Sequence, residues 1–180
     1  MSKVKIAMDW LDACAGCEMS FLDIDERILE VLKAVEITSS PITDLKHPPK
    51  EGVDVGILSG AVGNTHQERT TKEMRESCKI LIAIGDCAVF GGLPTMRNFL
   101  DSNDVLKRSY VETESTTDGI VPKSDEIGRL LEDVKAVNNV VKVDVHLPGC
   151  PPSADAIYYV LTELLAGRIP ILTGENLLYD

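Results

Sequence analysis

The chain has 180 residues, 44% of them hydrophobic, which is the size and composition of one globular domain rather than a disordered segment. Eighteen basic against 29 acidic residues leave a net charge of -11, the wrong sign for nucleic acid or an anionic membrane surface, and 4% aromatics is too few for a base-stacking platform. The longest clear apolar run, Ile80 to Ile84, falls far short of the roughly 18 residues a membrane span needs, so no span is expected.

Met1-Ser2-Lys3-Val4-Lys5-Ile6 runs straight into a strand expected over Val4 to Met8. With no apolar leader core and no twin-arginine pair, the expected address is the cytoplasm. Phe21, Ile24, Ile28, Leu29, Val31, Leu32 and Val35 then fall at 3- and 4-residue spacing, predicting one helix with Ser20 and Asp23 at its start. A weaker strand is read over Val35 to Thr38, and a firmer one over Val53 to Leu58. Thr65 to Cys78 reads as a polar helix capped by Asn64 or Thr65, with Glu68 in its first turn. Strands follow at Ile80 to Ile84 and Val140 to Val145, and a last helix at Ser153 to Ala166 stops before Gly167. Near-continuous apolar strands alternating with helices predict right-handed βαβ units. The expected fold is a flavodoxin-like, doubly wound α/β domain, a mainly parallel sheet with helices on both faces, in one domain over 1–180.

Asp101 to Asn139 breaks that rhythm. It carries nine acidic and five basic residues, and Ser124 to Val137 is its one helical-looking piece. A polar connection this long between core strands reads as a solvated surface or a partner surface.

Five cysteines in a chain expected to stay in a reducing compartment point to metal binding or catalysis rather than disulfides. Cys14 and Cys17 form Cys-x-x-Cys after the first strand, Cys87 follows the Ile80 to Ile84 strand, and Cys150 follows the Val140 to Val145 strand. In an open α/β sheet the carboxyl ends of the strands face one crevice, so topology alone brings four thiols together. Cys78 precedes its strand and is expected at the opposite edge, as a small buried residue. Four thiolates suit a structural zinc ion or an iron–sulfur cluster, and a thiol redox role is the third option. One close pair and two singles, with Gly16, Gly85, Gly91, Gly92 and Gly149 nearby, fit a [4Fe–4S] cluster better than the paired spacing usual for zinc.

Among the smaller features, Glu18 reads as a first-turn acid favoured by the helix dipole. His146, next to the strand before Cys150, reads as a structural histidine with a hydrogen bond near the site as the alternative, His66 and His47 lack metal-binding spacing, and Trp10 reads as core. The Gly-rich turn Ser59 to Thr65 resembles phosphate cradles only loosely, which keeps FMN as a secondary option in this chain.

Cys14-Ala15-Gly16-Cys17-Glu18, Gly85-Asp86-Cys87-Ala88 with Gly91-Gly92-Leu93-Pro94, and Leu147-Pro148-Gly149-Cys150-Pro151-Pro152 together resemble the small subunit of [NiFe] hydrogenases. The 20 kDa subunit of NADH:quinone oxidoreductase shares the last two motifs, but its first typically carries adjacent cysteines. The resemblance runs from Val4 to about Gly167. Lacking a twin-arginine signal and an extra-cluster domain, the chain looks most like the small subunit of cytoplasmic bidirectional, NAD-reducing hydrogenases. It implies a proximal [4Fe–4S] cluster on Cys14, Cys17, Cys87 and Cys150, and a proton-relay role for Glu18. It further implies a large subunit holding the Ni–Fe centre, and a diaphorase module with clusters and flavin where NAD is reduced. A quinone-oxidoreductase-type subunit, an FMN carrier and a zinc-stabilised scaffold are the alternatives.

Overall fold

The computed structural model describes residues 3–177. In chain order its elements are β1 (Val4–Trp10), α1 (Gly16–Leu22), α2 (Ile28–Ala34), β2 (Val35–Ser39), β3 (Val53–Ser59), β4 (Val62–Asn64) and α3 (Thr65–Ser77). There follow β5 (Cys78–Ile84), α4 (Gly85–Phe90), α5 (Ser102–Tyr110), β6 (Leu130–Lys135), β7 (Val145–Leu147) and α6 (Ala154–Leu165). The main sheet has five parallel strands in the order β2-β1-β3-β5-β7. This is the flavodoxin-type order, whose direction reverses between β1 and β3, and ligands of such sheets bind beyond the carboxyl ends at that reversal.

Side-chain alternation sends each strand into two cores. Ile6, Met8, Val55, Ile57, Ile82 and Ile84 pack against α1, α2 and α6 on one face. Ala7, Leu58, Leu81 and Ala83 pack with Met74 of α3 and with Ala88 and Val89 of α4 on the other. β3 and β5 are covered on both faces, which explains their unbroken apolar sequences. Asn64, one of the two caps the sequence offers, caps α3 reciprocally with Gln67, and Ser153 caps α6 through Ala156 N–H at 3.2 Å.

Four expectations give way. The single helix over Phe21 to Val35 is broken: α1 starts early, at Gly16, and α2 is reached through a 3₁₀ turn at Asp25–Arg27, where Asp25 takes φ +61°. Ser20 is no cap; its buried hydroxyl donates to Pro152 O. The helix expected over Ser124 to Val137 is instead β6, antiparallel to β4 in a second, two-stranded sheet. Arg97 donates to Leu131 O, and Asn98 exchanges two hydrogen bonds with Val134, fixing β6 as a strand. The connection's helix is α5, capped by Asp101 at the Asn103 and Asp104 amides.

The strand expected over Val140 to Val145 shrinks to β7, because the Val137–Asn139 3₁₀ turn and Asp144 occupy the approach. Asp144 accepts Leu81 N–H at 2.9 Å and pairs with Arg75 of α3, standing in for a ladder rung. Burial pushes its pKa up, but the Leu81 amide and the Arg75 guanidinium outweigh this and hold it below the usual carboxylate value. Its stabilisation is therefore present above about pH 4 and fades as pH falls through the depressed native value. Asp144→Ala should lower unfolding free energy by about 1–3 kcal/mol at neutral pH, measured by chemical denaturation, with the gap to the parent narrowing in acid.

Candidate functional site

β1 leads into the loop that carries Cys14 and into α1, which carries Cys17. Leu11 N–H and Asp12 N–H donate across to Ser59 O and Ala61 O, tying this loop to the end of β3. β5 runs directly into α4, whose third residue is Cys87, and β7 runs into the Pro148–Pro152 loop with Cys150. As topology requires, Cys14, Cys17, Cys87 and Cys150 line one hollow of about 60 Å³, together with Gly60, Asp86 and Gly149. Cys17 and Cys87 form its half-buried inner wall, whereas Cys14 and Cys150 are exposed at the mouth. Cys78 lies at the amino end of β5, buried and away from the rest. A larger apolar pocket of about 240 Å³ sits at that same end beneath α6, with one ion pair, Asp54 and Lys79, as its charged groups. Chemistry rather than size therefore locates the site.

The thiols are held as a group. Burial first, and then the charges of Glu18, Cys87, Cys14 and Cys150, push Cys17 up to about 12. Burial also raises Cys87, against a backbone hydrogen bond from Leu93 that favours its thiolate. An inner wall that disfavours bare thiolates at Cys17 and Cys87 suits a positively charged occupant. Glycines give such an occupant room: a Cβ on Gly85 would collide with Cys17 Sγ, and one on Gly92 would stand 2.9 Å from Cys87 Sγ. Among the described residues no three Cys, His, Asp or Glu side chains stand close enough to hold one metal ion. Four thiols around one hollow offer the donor set of an iron–sulfur cluster.

Glu18 is in the first turn of α1. The fully buried Ser59 hydroxyl donates to its Oε1, while Oε2 is buried with no hydrogen-bond partner. Trp10, expected in the core, is 38% exposed at the end of β1, and His146 is exposed on β7. The Ser59 to Thr65 turn offers no row of open amides to a phosphate. Ala61 N–H goes to Asp12 O, the Gly63 and Asn64 amides go to Gln67 Oε1, and Thr65 N–H goes to Arg129 O. Asp86 and Ser59 escaped the sequence reading as site residues, although Asp86 stands beside Cys87; their partners are remote in sequence.

A parallel β2-β1-β3-β5-β7 sheet with four thiols gathered around one hollow beyond its strand ends defines a flavodoxin-like α/β domain. The model of the NADH ubiquinone oxidoreductase 20 kDa subunit family matches residues 14–164, and the chain belongs to that family. It is 41% identical over 169 residues to the delta subunit of the NAD-reducing hydrogenase HoxS of Cupriavidus necator, covering 92% of this chain and 80% of that one. It is 40% identical over 170 residues to a chain of the F420-non-reducing vhu hydrogenase of Methanocaldococcus jannaschii, covering 94% of this chain but 58% of that relative. In a crystal structure of an NAD+-reducing [NiFe]-hydrogenase in the H2-reduced state, one chain matches with a TM-score of 0.95 and 37% identity, over 99% of this chain and all of that one. No helix among the described residues is long and apolar enough to cross a membrane.

Proposed function

We propose that this chain is the electron-transfer small subunit of a cytoplasmic, NAD-reducing [NiFe] hydrogenase. In this reading it is one flavodoxin-like domain over 1–180, holding a single [4Fe–4S] cluster on Cys14, Cys17, Cys87 and Cys150. The convergence of those four thiols on one hollow carries the reading, and its hydrogenase relatives supply the reaction. When bound, the cluster supplies one-electron transfer at a potential set by its surroundings.

The chain's own residues bind and shield. Cys17 and Cys87 hold the inner side, the Leu93 amide donates to the Cys87 sulfur, and the glycines let the backbone approach. Phe90, Leu93, Met96 and Phe99 follow Cys87 and are 65%, 67%, 63% and 88% exposed. Such a patch beside the site suits the large subunit that carries the Ni–Fe centre. Electrons leaving this chain pass to a diaphorase module, whose clusters and flavin reduce NAD.

Glu18 is the proton-relay candidate, facing the same partner, with Ser59 holding one carboxylate oxygen. Glu18→Gln should slow hydrogen turnover roughly tenfold or more while leaving the iron–sulfur EPR signal intact. Unchanged turnover would remove Glu18 from the path. The function as a whole is tested by anaerobic purification with the partner subunits, followed by iron, sulfide and nickel analysis, EPR, and an assay of hydrogen-dependent NAD reduction. A colourless zinc protein, or a yellow one without acid-labile sulfide, would overturn the reading.

A further inference from the structure

Cys87, in the first turn of α4, and Cys150, on the loop after β7, are 63 residues apart in sequence, and one side chain joins their segments. The β5–β7 ladder ends at the pair Ile84 and Leu147. Beyond it, Asp86 N–H donates to Gly149 O at 2.8 Å, and Gly149 N–H donates back to Asp86 Oδ1 at 2.8 Å. The second bond is one that a backbone carbonyl would make in a sheet; here a carboxylate makes it. Both segments have just left their strands through positive-φ backbone, at Gly85 (φ +83°), where α4 begins, and at Gly149 (φ +138°). Gly149 is buried, and removing the carboxylate takes away the hydrogen-bond partner of its N–H. Asp86 and Gly149 each sit one residue before a thiol, so a displacement at the clamp is passed directly to Cys87 and Cys150.

We propose that Asp86 is a positioning residue for the cluster. It sets the separation of the Cys87 and Cys150 sulfurs, and it places one negative charge beside two of the four ligands. The inference rests on the iron–sulfur reading given above. It assigns a role to a residue that need not touch the cluster.

Two variants, in the complex purified anaerobically with its partner subunits, test it. Asp86→Ala removes the clamp's side-chain bond. Its cluster should be lost to a ferrous-iron chelator roughly tenfold faster than the parent's, the scale typical of outer partners of metal ligands. Asp86→Asn keeps an oxygen that accepts Gly149 N–H but removes the charge. Its cluster lifetime should stay within about twofold of the parent, while its midpoint potential in an EPR-monitored redox titration moves to more positive values, because a nearby negative charge disfavours adding an electron. A parental lifetime in Asp86→Ala overturns the clamp. If Asp86→Ala does not accumulate as a folded complex, the Asp86→Asn potential decides, and an unmoved potential overturns the proposal. Absence of iron and acid-labile sulfide from the parent complex is a different failure, that of the iron–sulfur reading itself.

Discussion

Cys17→Ala is expected to lower hydrogen-dependent NAD reduction by more than about a hundredfold and to strip the iron–sulfur EPR signal, a larger effect than the 10–100-fold typical of residues that merely support a ligand. Cys17 is a half-buried wall of the hollow, and burial together with neighbouring charge pushes its thiol up to about 12. In the free chain the sulfur therefore keeps its proton at neutral pH, and only a cationic group gives the thiolate a reason to form. The control is Cys78→Ala, at the opposite end of the same sheet. Cys78 is buried against Gly56 and Met74, so its loss should cost about 1 kcal/mol of stability and leave turnover and EPR signal unchanged. Iron analysis, EPR and denaturation on both variants separate the two. If Cys78→Ala lost the signal and Cys17→Ala kept it, the ligand set would be wrong.

That contrast also marks what was legible in the amino-acid sequence. Strand identity came from unbroken apolar runs such as Ile80 to Ile84, and parallel α/β topology fixes which end of each strand is shared. Placing Cys14, Cys17, Cys87 and Cys150 together, with Cys78 apart, needed only the order of cysteines and strands along the chain. No knowledge of side-chain packing entered. Boundaries could drift by several residues, as β7 did from Val140 to Val145, without moving Cys150 from the carboxyl end.

The failures arose where the deciding interaction is non-local. Leu130, Leu131 and Val134 fall at spacings that suit a helix, and nothing nearby contradicts it. What makes β6 a strand is β4, some 66 residues earlier, with Arg97 and Asn98 reaching across from a third segment. The break between α1 and α2 turns on the left-handed backbone at Asp25, in a run whose apolar periodicity continues undisturbed. The Asp86 clamp and the Glu18–Ser59 hydrogen bond are of the same kind, joining residues 63 and 41 positions apart. Local patterns therefore located the four thiols, and the hydrogen bonds that join the segments around them emerged only with the tertiary contacts.

Gly85→Ala is expected to damage both the site and the fold. The Gly85 backbone sits at φ +83°, where an L-residue costs roughly 1–2 kcal/mol. Strain of that size alone would leave a folded protein with its site intact. The second effect is collision: the new Cβ would overlap Cys17 Sγ, and Gly85 is buried between β5 and α4 with no free side to move toward. Either Cys17 swings out of the ligand set or β5 and α4 part. Both outcomes should remove the cluster, reduce hydrogen-dependent turnover by more than about a hundredfold and lower unfolding free energy by about 3 kcal/mol. Gly167→Ala separates the two causes. Gly167 also has a positive φ, +72°, but a Cβ there would meet nothing within 4 Å. It should therefore cost only the backbone strain, about 1 kcal/mol, and leave iron content and turnover at parental values. Thermal or chemical denaturation paired with iron analysis reads both. Equal iron loss in the two variants would show that strain, rather than contact with Cys17, governs the site.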